Sequence, residues 1–411
     1  MARIAIVGSG ISGLVCTYLL GSKHEVTLFE ANDYLGGHTH THNISVRGQN
    51  ITVDTGFIVY NDRSYPNFTK LLDQLSCEGI PTEMSFSMRD DKGNLEYNGH
   101  TLNTLFAQRR NILRPSFLRL VRDIVRFNRI AKEVAENDLS TLDEYLDKHH
   151  FSSEFKSQYL IPMAAAIWST GDSSVGEFPI RAFANFFNNH GLLDLKNRPQ
   201  WYVVKGGSNA YIKAMEKKLG NYQLNTRVSS IQRFENHVGI VANGQIQKFD
   251  EVIIATHSNE ALNMLAEPTK AESEILGAIR FTKNTACLHT DVNQLPKRPL
   301  ARASWNYLKD DNRQDFATLT YYMNILQKIE SDDHILVTLN DNQQIDPALI
   351  IKEFEYYHPL YNRDTLEAQR RHDEISGAQG THYCGAYWHY GFHEDGVKSA
   401  LRVCEKFGVT L

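Results

Sequence analysis

The pattern of apolar and polar residues over the first thirty positions predicts a strand, a helix and a second strand. Residues 3–7 form a short β-branched, apolar run, which is typical of a fully buried strand. Apolar positions then recur at helical spacing from Ile11 to Leu19. Residues 25–29 return to a strand-like run, and the segment GSGISG at residues 8–13 separates the first strand from the helix. This order of elements is that of a dinucleotide-binding unit.

The glycines of the turn and an acid after the second strand indicate which nucleotide groups the unit would hold. Gly8 permits a tight turn, Gly10 lets a pyrophosphate approach the backbone, and Gly13 lets the helix pack close to the strand. The N–H groups at the start of the helix favour a diphosphate. Glu30 can accept hydrogen bonds from ribose hydroxyls and would repel a 2′-phosphate. The alternative is a glycine-rich turn with no chemical role, and the complete set of elements favours the nucleotide.

A second glycine pair, Gly36 and Gly37, follows the acid within a few residues. A chain that runs along an extended diphosphate and ribityl chain must come close to it, and glycine permits that approach. Residues 53–61 then read as another strand, interrupted by Gly56. These features point to a flavin nucleotide, because a plain NAD fold does not need the second pair.

Three histidines, His38, His40 and His42, alternate after the second glycine pair and would share one face of a strand. A metal site would need a carboxylate or cysteine partner nearby, and none is evident. We therefore expect a polar strand edge beside the cofactor and no metal.

Composition and charge narrow the class of protein. At 411 residues the chain is long enough for two domains, and its 42% hydrophobic and 22% charged residues are ordinary for a globular protein. The net charge of −5 gives no reason to expect nucleic acid. Five scattered cysteines argue against a disulfide framework or a zinc site. With a strand starting at residue 3 and no long apolar run, we expect a cytoplasmic protein.

The motifs GSGISG, Glu30, GGHT at 36–39 and DTG at 54–56 occur in an order that resembles the flavin-containing amine oxidase superfamily. The longer phrase DTGFIVYN at 54–61, with later segments, is similar to a narrower group: predicted NAD/FAD-binding oxidoreductases often encoded beside cyclopropane-fatty-acid synthases. The resemblance covers essentially the whole chain. It implies an α/β fold with a Rossmann-like FAD-binding domain of the amine-oxidase or glutathione-reductase type, an inserted α+β substrate domain, and FAD bound non-covalently.

The same resemblance implies how the chain is divided and which residues touch FAD. The FAD-binding domain would comprise 1–61, 200–265 and 375–411, and the substrate domain 62–199 and 266–374, with its helical part at about 105–190. The implied FAD contacts are Gly8, Gly10, Ile11, Ser12, Gly13, Glu30, Ala31, Gly36, Gly37, His38, Thr39, Thr55, Gly56, Val228, Thr256, Gly385, Phe392, His393, Glu394, Gly396 and Val397. Val228 would hold the adenine through its backbone, whereas Glu394 has the alternative of capping a helix.

Residues next to the expected flavin ring are candidates for chemistry and for substrate binding. Trp388, His389 and Tyr390 would form a wall facing the ring, with His389 a candidate general acid or base. Tyr60 and Asn61 are further catalytic candidates. Two more residues are expected to contact substrate: Asn324, in a phrase shared with the narrower group, and Trp168. The latter ends an apolar segment that would either line a pocket or form a core helix broken near Pro162.

Many amine oxidases place a lysine near the flavin ring, where it holds a water molecule. In this chain that position falls near Thr285 or Ala286, and Lys283 is out of register. The departure puts amine oxidation in doubt.

A strongly basic segment, residues 109–132, lies in the predicted helical part. It carries seven arginines and one lysine against one acid, Asp123, in a chain that is acidic overall. Arginines at 119, 122, 126 and 129 share one helix face, and apolar residues lie largely on the other. Such a helix can rest on an anionic membrane surface, including the inner surface of the cell membrane. The alternative is a surface helix that packs its apolar face into its own domain.

Together these features predict an FAD-dependent oxidoreductase that takes a hydride from a C–H bond of an apolar substrate, such as a fatty-acyl chain of a modified membrane lipid. The absence of a second GxGxxG unit favours oxygen or an external carrier as electron acceptor. Three alternatives stay open: a flavin-dependent isomerase of acyl double bonds, an amine oxidase, and a non-catalytic FAD-containing lipid-binding protein.

Overall fold

The fold was analysed in a computed structural model that describes residues 1–135, 137–138, 140–168, 175–194, 196–309, 318–340 and 344–411. The strands, in chain order, are β1 Arg3–Val7, β2 Glu25–Phe29, β3 Thr41–Val46, β4 Gln49–Asp54, β5 Val59–Asn61, β6 Gly79–Thr82, β7 Phe86–Asp90, β8 Leu95–Asn98, β9 Trp201–Val204, β10 Asn221–Gln223, β11 Val228–Arg233, β12 Val238–Ala242, β13 Gln245–Phe249, β14 Glu251–Ile254, β15 Phe281–His289, β16 Trp305–Lys309, β17 Thr318–Tyr322, β18 Leu336–Leu339, β19 Ile350–Pro359 and β20 Thr381–Tyr383. The helices are α1 Ile11–Leu20, α2 Pro66–Gln74, α3 Leu102–Leu105, α4 Pro115–Ile130, α5 Leu142–Lys148, α6 Ser153–Phe155, α7 Ile161–Trp168, α8 Ile180–Asn189, α9 Asn209–Glu216, α10 Ser258–Met264, α11 Lys270–Ala278, α12 Met323–Leu326, α13 Arg363–Arg370, α14 His372–Ile375 and α15 His393–Lys406.

A five-stranded parallel sheet has the strand order β10-β2-β1-β14-β20. The four C-terminal residues of β1 are buried, as expected for a strand covered on both faces. Helix α1 follows β1 directly and packs beside α15, the last helix of the chain. The predicted α/β fold class is confirmed, and the strands of this sheet come from the three segments assigned to the FAD-binding domain.

A seven-stranded sheet, in the order β19-β15-β18-β17-β16-β7-β8, forms the second half. Its pairings are antiparallel except for the parallel pair of β16 with β7. Helices from α4 to α8 cover part of this sheet, and side chains from both layers join one apolar cluster. Pro162 does not break the helical run. It lies just after a π-helical turn, Lys156–Leu160, which links α6 to α7 and changes the hydrogen-bond spacing next to the proline.

A three-stranded antiparallel sheet, β5-β9-β6, joins the two halves. Strand β9 follows the helical insertion and pairs on one side with β5, which ends the first cofactor-binding segment. It pairs on the other side with β6, which belongs to the insertion. The junction between the predicted domains is therefore itself a sheet.

The basic segment folds as a 3₁₀ turn, Arg109–Leu113, followed by α4. Phe117, Leu120 and Phe127 on α4 are fully buried in the apolar cluster of the helical insertion. One face of the helix therefore packs into its own domain, as the second alternative required. In the described part of the chain, no helix is both long enough and apolar enough to cross a bilayer.

Candidate active site

The turn after β1 leaves an open cradle at the start of α1. Gly8 has φ +100°, and a Cβ atom on Gly13 would collide with the carbonyl oxygen of Gly8, so the turn and the helix lie closer than other residues allow. A Cβ atom on Gly10, by contrast, would meet nothing within 4 Å. No side chain caps the helix at Gly10. The first N–H groups of α1 therefore face free space, which is the arrangement that binds a diphosphate.

The second glycine pair closes the opposite side of this cradle. Gly36 donates its N–H to the carbonyl oxygen of Ser9 at 3.0 Å. Gly37 has φ +59°, and a Cβ atom there would lie 3.1 Å from the Cα of Gly10. The two glycine segments thus approach each other at the place where the predicted diphosphate would pass.

Glu30 is buried and held at the end of β2. Its Oε2 accepts hydrogen bonds from the N–H and hydroxyl of Ser9 at 2.8 and 2.6 Å, and its Oε1 accepts from the N–H of Asn32 at 2.8 Å. Carboxylate oxygens accept more than one hydrogen bond, so ribose hydroxyls can share this group. Thr226 donates its N–H to the carbonyl oxygen of Glu30, which brings the start of β11 at Val228 to the same edge. Next to Glu30, Ala31 is exposed.

The first and last helices meet at the cradle. A Cβ atom on Gly396 would lie 2.5 Å from Cγ2 of Ile11, so only glycine fits between the two helices. Ser12 donates its hydroxyl to the carbonyl oxygen of Gly396 at 2.8 Å. Upstream of α15, Gly385 donates its N–H to Ser399 at 3.0 Å, and Val397 is fully buried beneath. These contacts aim the N-terminus of α15 at the same space as that of α1.

A buried chain of hydroxyl and imidazole groups fixes the start of α15. The hydroxyls of Thr39 and Tyr211 lie 2.6 Å apart, and that of Tyr211 lies 2.8 Å from Nε2 of His393. The His393 ring also stacks on Phe57 at 3.6 Å. Burial lowers the pKa of His393 to about 3, so the imidazole is neutral and positions the helix without adding charge.

Neutral histidines line the edge of the cradle next to the seven-stranded sheet. The rings of His257 and His358 lie 6.0 and 5.6 Å from the ring of His38. Burial, with a smaller effect of neighbouring histidines, lowers the pKa of His38 and His257 to about 4 and that of His358 to about 3. Nε2 of His38 and Nδ1 of His358 are buried without a hydrogen-bond partner among the described residues. Such nitrogens suit a polar group of a bound cofactor.

Thr55, Gly56 and Thr256 complete this edge. The hydroxyls of Thr55 and Tyr356 lie 2.7 Å apart. A Cβ atom on Gly56 would collide with the carbonyl oxygen of His38, and one on Gly8 would lie 3.1 Å from Cγ2 of Thr256. Among the described residues, no group of three or more His, Cys, Asp or Glu side chains is arranged to hold a metal ion. The donor set and the open glycine cradle fit FAD.

Trp388 and Tyr390 of the predicted wall pack into different apolar clusters, so they do not face the same side. Trp388 is buried in a core cluster with its ring edge-on to His372 at 4.5 Å, and Tyr390 packs against Phe186 of α8. Burial and the charges of Lys398 and Arg402 lower the pKa of His389 to about 4. A 3₁₀ turn, Ala386–Trp388, explains the difference, because three residues per turn send successive side chains in different directions.

The two catalytic candidates on β5 also serve the fold. Tyr60 stacks on Tyr202 in the core, with its hydroxyl against Gly79, and burial raises its pKa to about 12. Asn61 accepts hydrogen bonds from the N–H groups of Arg63 and Ser64 at 3.0 and 2.7 Å, which forms a local turn. Its Nδ2 is buried with no partner in the described chain. The geometry therefore disagrees with a catalytic role for Tyr60 and leaves Asn61 with one free donor.

Glu394 and Asn324 are engaged elsewhere. Glu394 accepts hydrogen bonds from the N–H groups of Asn67 and Phe68, so its carboxylate caps α2 and does not point into the cradle. Asn324 donates to the carbonyl oxygens of Ser331 and Asp333 and accepts from the N–H of Ile335. Its amide therefore ties the loop before β18, and the substrate contact of Asn324 stays a prediction.

Trp168 does lie beside a cavity. The cavity measures about 90 Å³, and its lining includes Trp168, Phe178 and Tyr361. Nε1 of Trp168 and the hydroxyl of Tyr361 are buried without partners among the residues described, and residues 169–174 lie outside them. A Cβ atom on Gly391 would collide with the Tyr361 hydroxyl, so the cavity adjoins the turn before α15.

An aromatic group packs between α8 and α15. Phe392, at the N-cap of α15, stacks on Phe186 at 4.8 Å. His190 stacks on Phe186 at 4.0 Å, and its Nδ1 lies 3.0 Å from the carbonyl oxygen of that residue. A carbonyl accepts only, so Nδ1 carries the proton and Nε2 keeps its lone pair in the neutral ring. Burial lowers the pKa of His190 to about 4.

Sequence reasoning missed His190 and Tyr361, and it missed the face of β19. Phe354, Tyr356 and His358 alternate along that strand and meet the cradle, so a period of two could have revealed them. No comparable signal marks His190 or Tyr361, which reach the site through tertiary packing alone.

The parallel sheet with its glycine cradle, combined with a second sheet-and-helix half, defines a flavin-binding enzyme fold. Residues 11–289 match the model of the flavin-containing amine oxidoreductases, and the chain belongs to that family. It is an FAD-dependent oxidoreductase. No curated protein matches its sequence.

Solved structures share the fold at low identity. A CLA-producing fatty acid isomerase from P. acnes is 16% identical with a TM-score of 0.69, over 99% of this chain and 98% of that one. Putrescine oxidase bound to putrescine is 14% identical with a TM-score of 0.69, over 99% and 98%. Cyclohexylamine oxidase from Brevibacterium oxydans is 14% identical with a TM-score of 0.67, over 99% of both chains. The likeness shows the architecture, and the substrate has to be argued from the site.

Proposed function

We propose that the protein oxidises a C–H bond of an apolar, acyl-chain substrate that binds at the cavity lined by Trp168, Phe178 and Tyr361. The observation that carries this proposal is the cavity itself, because Trp168, Phe178 and Tyr361, which line it, belong to the apolar cluster of the helical insertion. An acyl chain is bound by burial of apolar surface, which such side chains provide.

FAD, when bound, supplies the hydride acceptor. The protein's own residues hold and orient the reactants. The N-terminus of α1 and the buried Glu30 would hold the nucleotide, and Gly37 lets the backbone approach it. The N-terminus of α15 would stabilise negative charge that develops during the reaction. The buried aromatic side chains exclude water from the reacting C–H bond.

Two polar atoms at the cavity favour an acyl substrate over an amine. The indole nitrogen of Trp168 can only donate a hydrogen bond, and the Tyr361 hydroxyl can donate one as well. A carbonyl or carboxylate oxygen would satisfy both atoms, whereas an ammonium group would repel the indole N–H. Lys283 does not fill the water-holding role described for amine oxidases, because it pairs with Glu355 on the surface. The resemblance to the group encoded beside cyclopropane-fatty-acid synthases agrees with an acyl chain.

Amine oxidation is the second candidate, and one observation favours it. The exposed side chain of Glu177 also lines the cavity and would attract an ammonium group. Redox-neutral isomerisation of an acyl double bond is a third, because the same apolar space would serve it. These activities differ in whether the flavin stays reduced when oxygen is absent.

Anaerobic mixing of the purified FAD-loaded protein with candidate substrates distinguishes them. We expect unsaturated or branched fatty acids and their phospholipids to abolish the visible flavin absorbance, and polyamines and aromatic amines to leave it unchanged. Bleaching by amines alone would contradict the proposal. An altered acyl product with an unchanged flavin spectrum would indicate the isomerase, and no response to any substrate would favour a lipid-binding role. Oxygen uptake after anaerobic reduction then tests whether oxygen, or an external carrier, accepts the electrons.

A further inference from the structure

An exposed surface with both apolar and basic side chains lies on the helical insertion. Its apolar members are exposed by 78% (Leu102), 50% (Ile112), 85% (Leu113), 46% (Leu118) and 49% (Val125). Large apolar side chains are seldom this exposed in such numbers within a short stretch. We call the exposed side chains of residues 102–130 the basic–apolar surface.

The outer face of α4 gives this surface its geometry. Leu118, Arg122, Val125 and Arg129 are spaced by four, three and four residues, so they form one stripe along the helix. All four side chains are exposed. The stripe lies opposite the buried face of the helix, which packs into the core of the insertion. Leu118 and Val125 therefore do not pack in the protein's own core.

The charge of the surface is strongly positive and little compensated. Residues 102–130 hold seven arginines and one acid, Asp123, whose carboxylate is buried next to Arg122. Arg119 pairs with Glu154 at 3.0 Å. Arg110 and Arg114 donate to the backbone carbonyl oxygens of Asn94 and Gly93, which leaves their charge in place.

We propose that the basic–apolar surface docks on an anionic lipid bilayer. Arginines at this surface would meet anionic head groups, and the exposed leucines would enter the boundary between head groups and acyl chains. Single-stranded nucleic acid is the poorer fit, because its recognition uses aromatic stacking, and the exposed apolar side chains between the arginines are aliphatic. This inference does not depend on which substrate the enzyme oxidises.

Vesicle flotation of the full-length, FAD-loaded protein tests the proposal. We expect it to bind vesicles that contain phosphatidylglycerol, to bind phosphatidylcholine vesicles far less, and to be released by high salt. Replacing Arg122 and Arg129 with Gln should weaken binding about fivefold per arginine. The substitution Leu113→Ser should weaken it on anionic vesicles without altering its salt dependence. Phe234→Ser, an exposed apolar site elsewhere (47% exposed), is the matched control and should bind like the unaltered protein.

Several outcomes would overturn the proposal. They are equal binding to both vesicle types, no binding, or arginine variants that bind normally. Competition by RNA that is stronger than that of anionic vesicles would assign the surface to nucleic acid. Size-exclusion chromatography without lipid adds a further check, because a dimer that dissociates in the Leu113→Ser variant would assign the surface to a second copy of the chain. Flavin content and the thermal midpoint verify that each variant is folded.

Discussion

The hydroxyl of Ser12 donates a 2.8 Å hydrogen bond to the carbonyl oxygen of Gly396, and so joins the first helix of the chain to the last. The contact sits where both helices begin. Because each N-terminus carries a partial positive charge, joining them concentrates that charge at the cradle. Segments from the first and last helices therefore meet at the cradle, and its geometry is sensitive to any change between the helices.

Replacing Gly396 with Ala should separate α15 from α1 and weaken FAD binding. The new Cβ atom would lie 2.5 Å from Cγ2 of Ile11, and overpacking of this kind costs about 1–3 kcal/mol. Fluorescence of FAD released on dilution measures the loss of affinity. The control is Gly220→Ala, since a Cβ atom there meets nothing within 4 Å. Equal FAD retention in both variants would contradict the assigned helix contact.

Replacing Glu30 with Gln should reduce FAD affinity by roughly tenfold to a hundredfold. The change removes a charged acceptor and places an amide N–H group against the donors of Ser9, and hydrogen bonds to charged groups are worth about 1.5–3 kcal/mol. Titration of apoprotein with FAD measures the effect. Glu25→Gln on the same strand, where the carboxylate is exposed, should leave the affinity unchanged. If the two variants behave alike, Glu30 is not the ribose acceptor.

Stability should fall as the pH drops from about 6.5 to about 4. Burial holds the pKa of His38, His257, His358 and His393 at about 3–4, against 6.5 for an ordinary histidine. The unfolded chain therefore binds more protons in this window, which favours unfolding as the solution becomes acidic. Burial also raises the pKa of Asp54 to about 6, which works in the opposite direction over part of the window, but the histidines outnumber it.

Urea unfolding at a series of pH values measures this dependence. A His358→Gln variant should show a shallower decline, because one of the groups that titrate only in the unfolded chain is gone. A midpoint that stays constant between pH 6.5 and 5 would show that the imidazoles are not buried as described.

Replacing Tyr361 with Phe should lower turnover and leave the free energy of unfolding nearly unchanged. The hydroxyl has no hydrogen-bond partner in the described structure, so its removal loses no internal contact, whereas the substrate loses a donor. Turnover of the best acyl substrate is expected to fall about tenfold to a hundredfold. Tyr97→Phe is the matched control. Its hydroxyl donates to the carbonyl oxygen of Gln158 at 2.6 Å, so its loss should cost about 1 kcal/mol of stability without changing turnover per folded molecule. The reverse pattern would place the substrate elsewhere.

Local patterns predicted the parallel sheet and the glycine cradle, because their determinants lie close together in sequence. The turn at residues 8–13, the acid at Glu30 and the pair at Gly36 and Gly37 each depend on neighbours within a few positions. The predicted wall before α15 failed for a local reason as well. Three consecutive side chains were expected to face one side, but the chain makes a 3₁₀ turn there and Trp388 points into the core.

Residues that act through tertiary contacts could not be predicted from a single sequence. Glu394 caps a helix more than three hundred residues earlier in the chain, and nothing near it in sequence indicates that partner. His190 stacks on Phe186 of α8, and its ring also lies 5.4 Å from that of Phe392, which belongs to a different element. The sequence showed that α4 has a basic face and an apolar face. Only the packing shows which of its apolar side chains stay exposed to solvent.

The β5-β9-β6 sheet also limits how the enzyme can admit a substrate. Backbone hydrogen bonds on both edges of β9 connect the cofactor half to the insertion. A hinge motion that separates the two would therefore have to break β-sheet hydrogen bonds. Clamshell opening of the two halves is therefore unfavourable. A substrate would then enter through changes of side-chain rotamer or short movements of surface loops. Such small movements limit the size of the substrate that can enter.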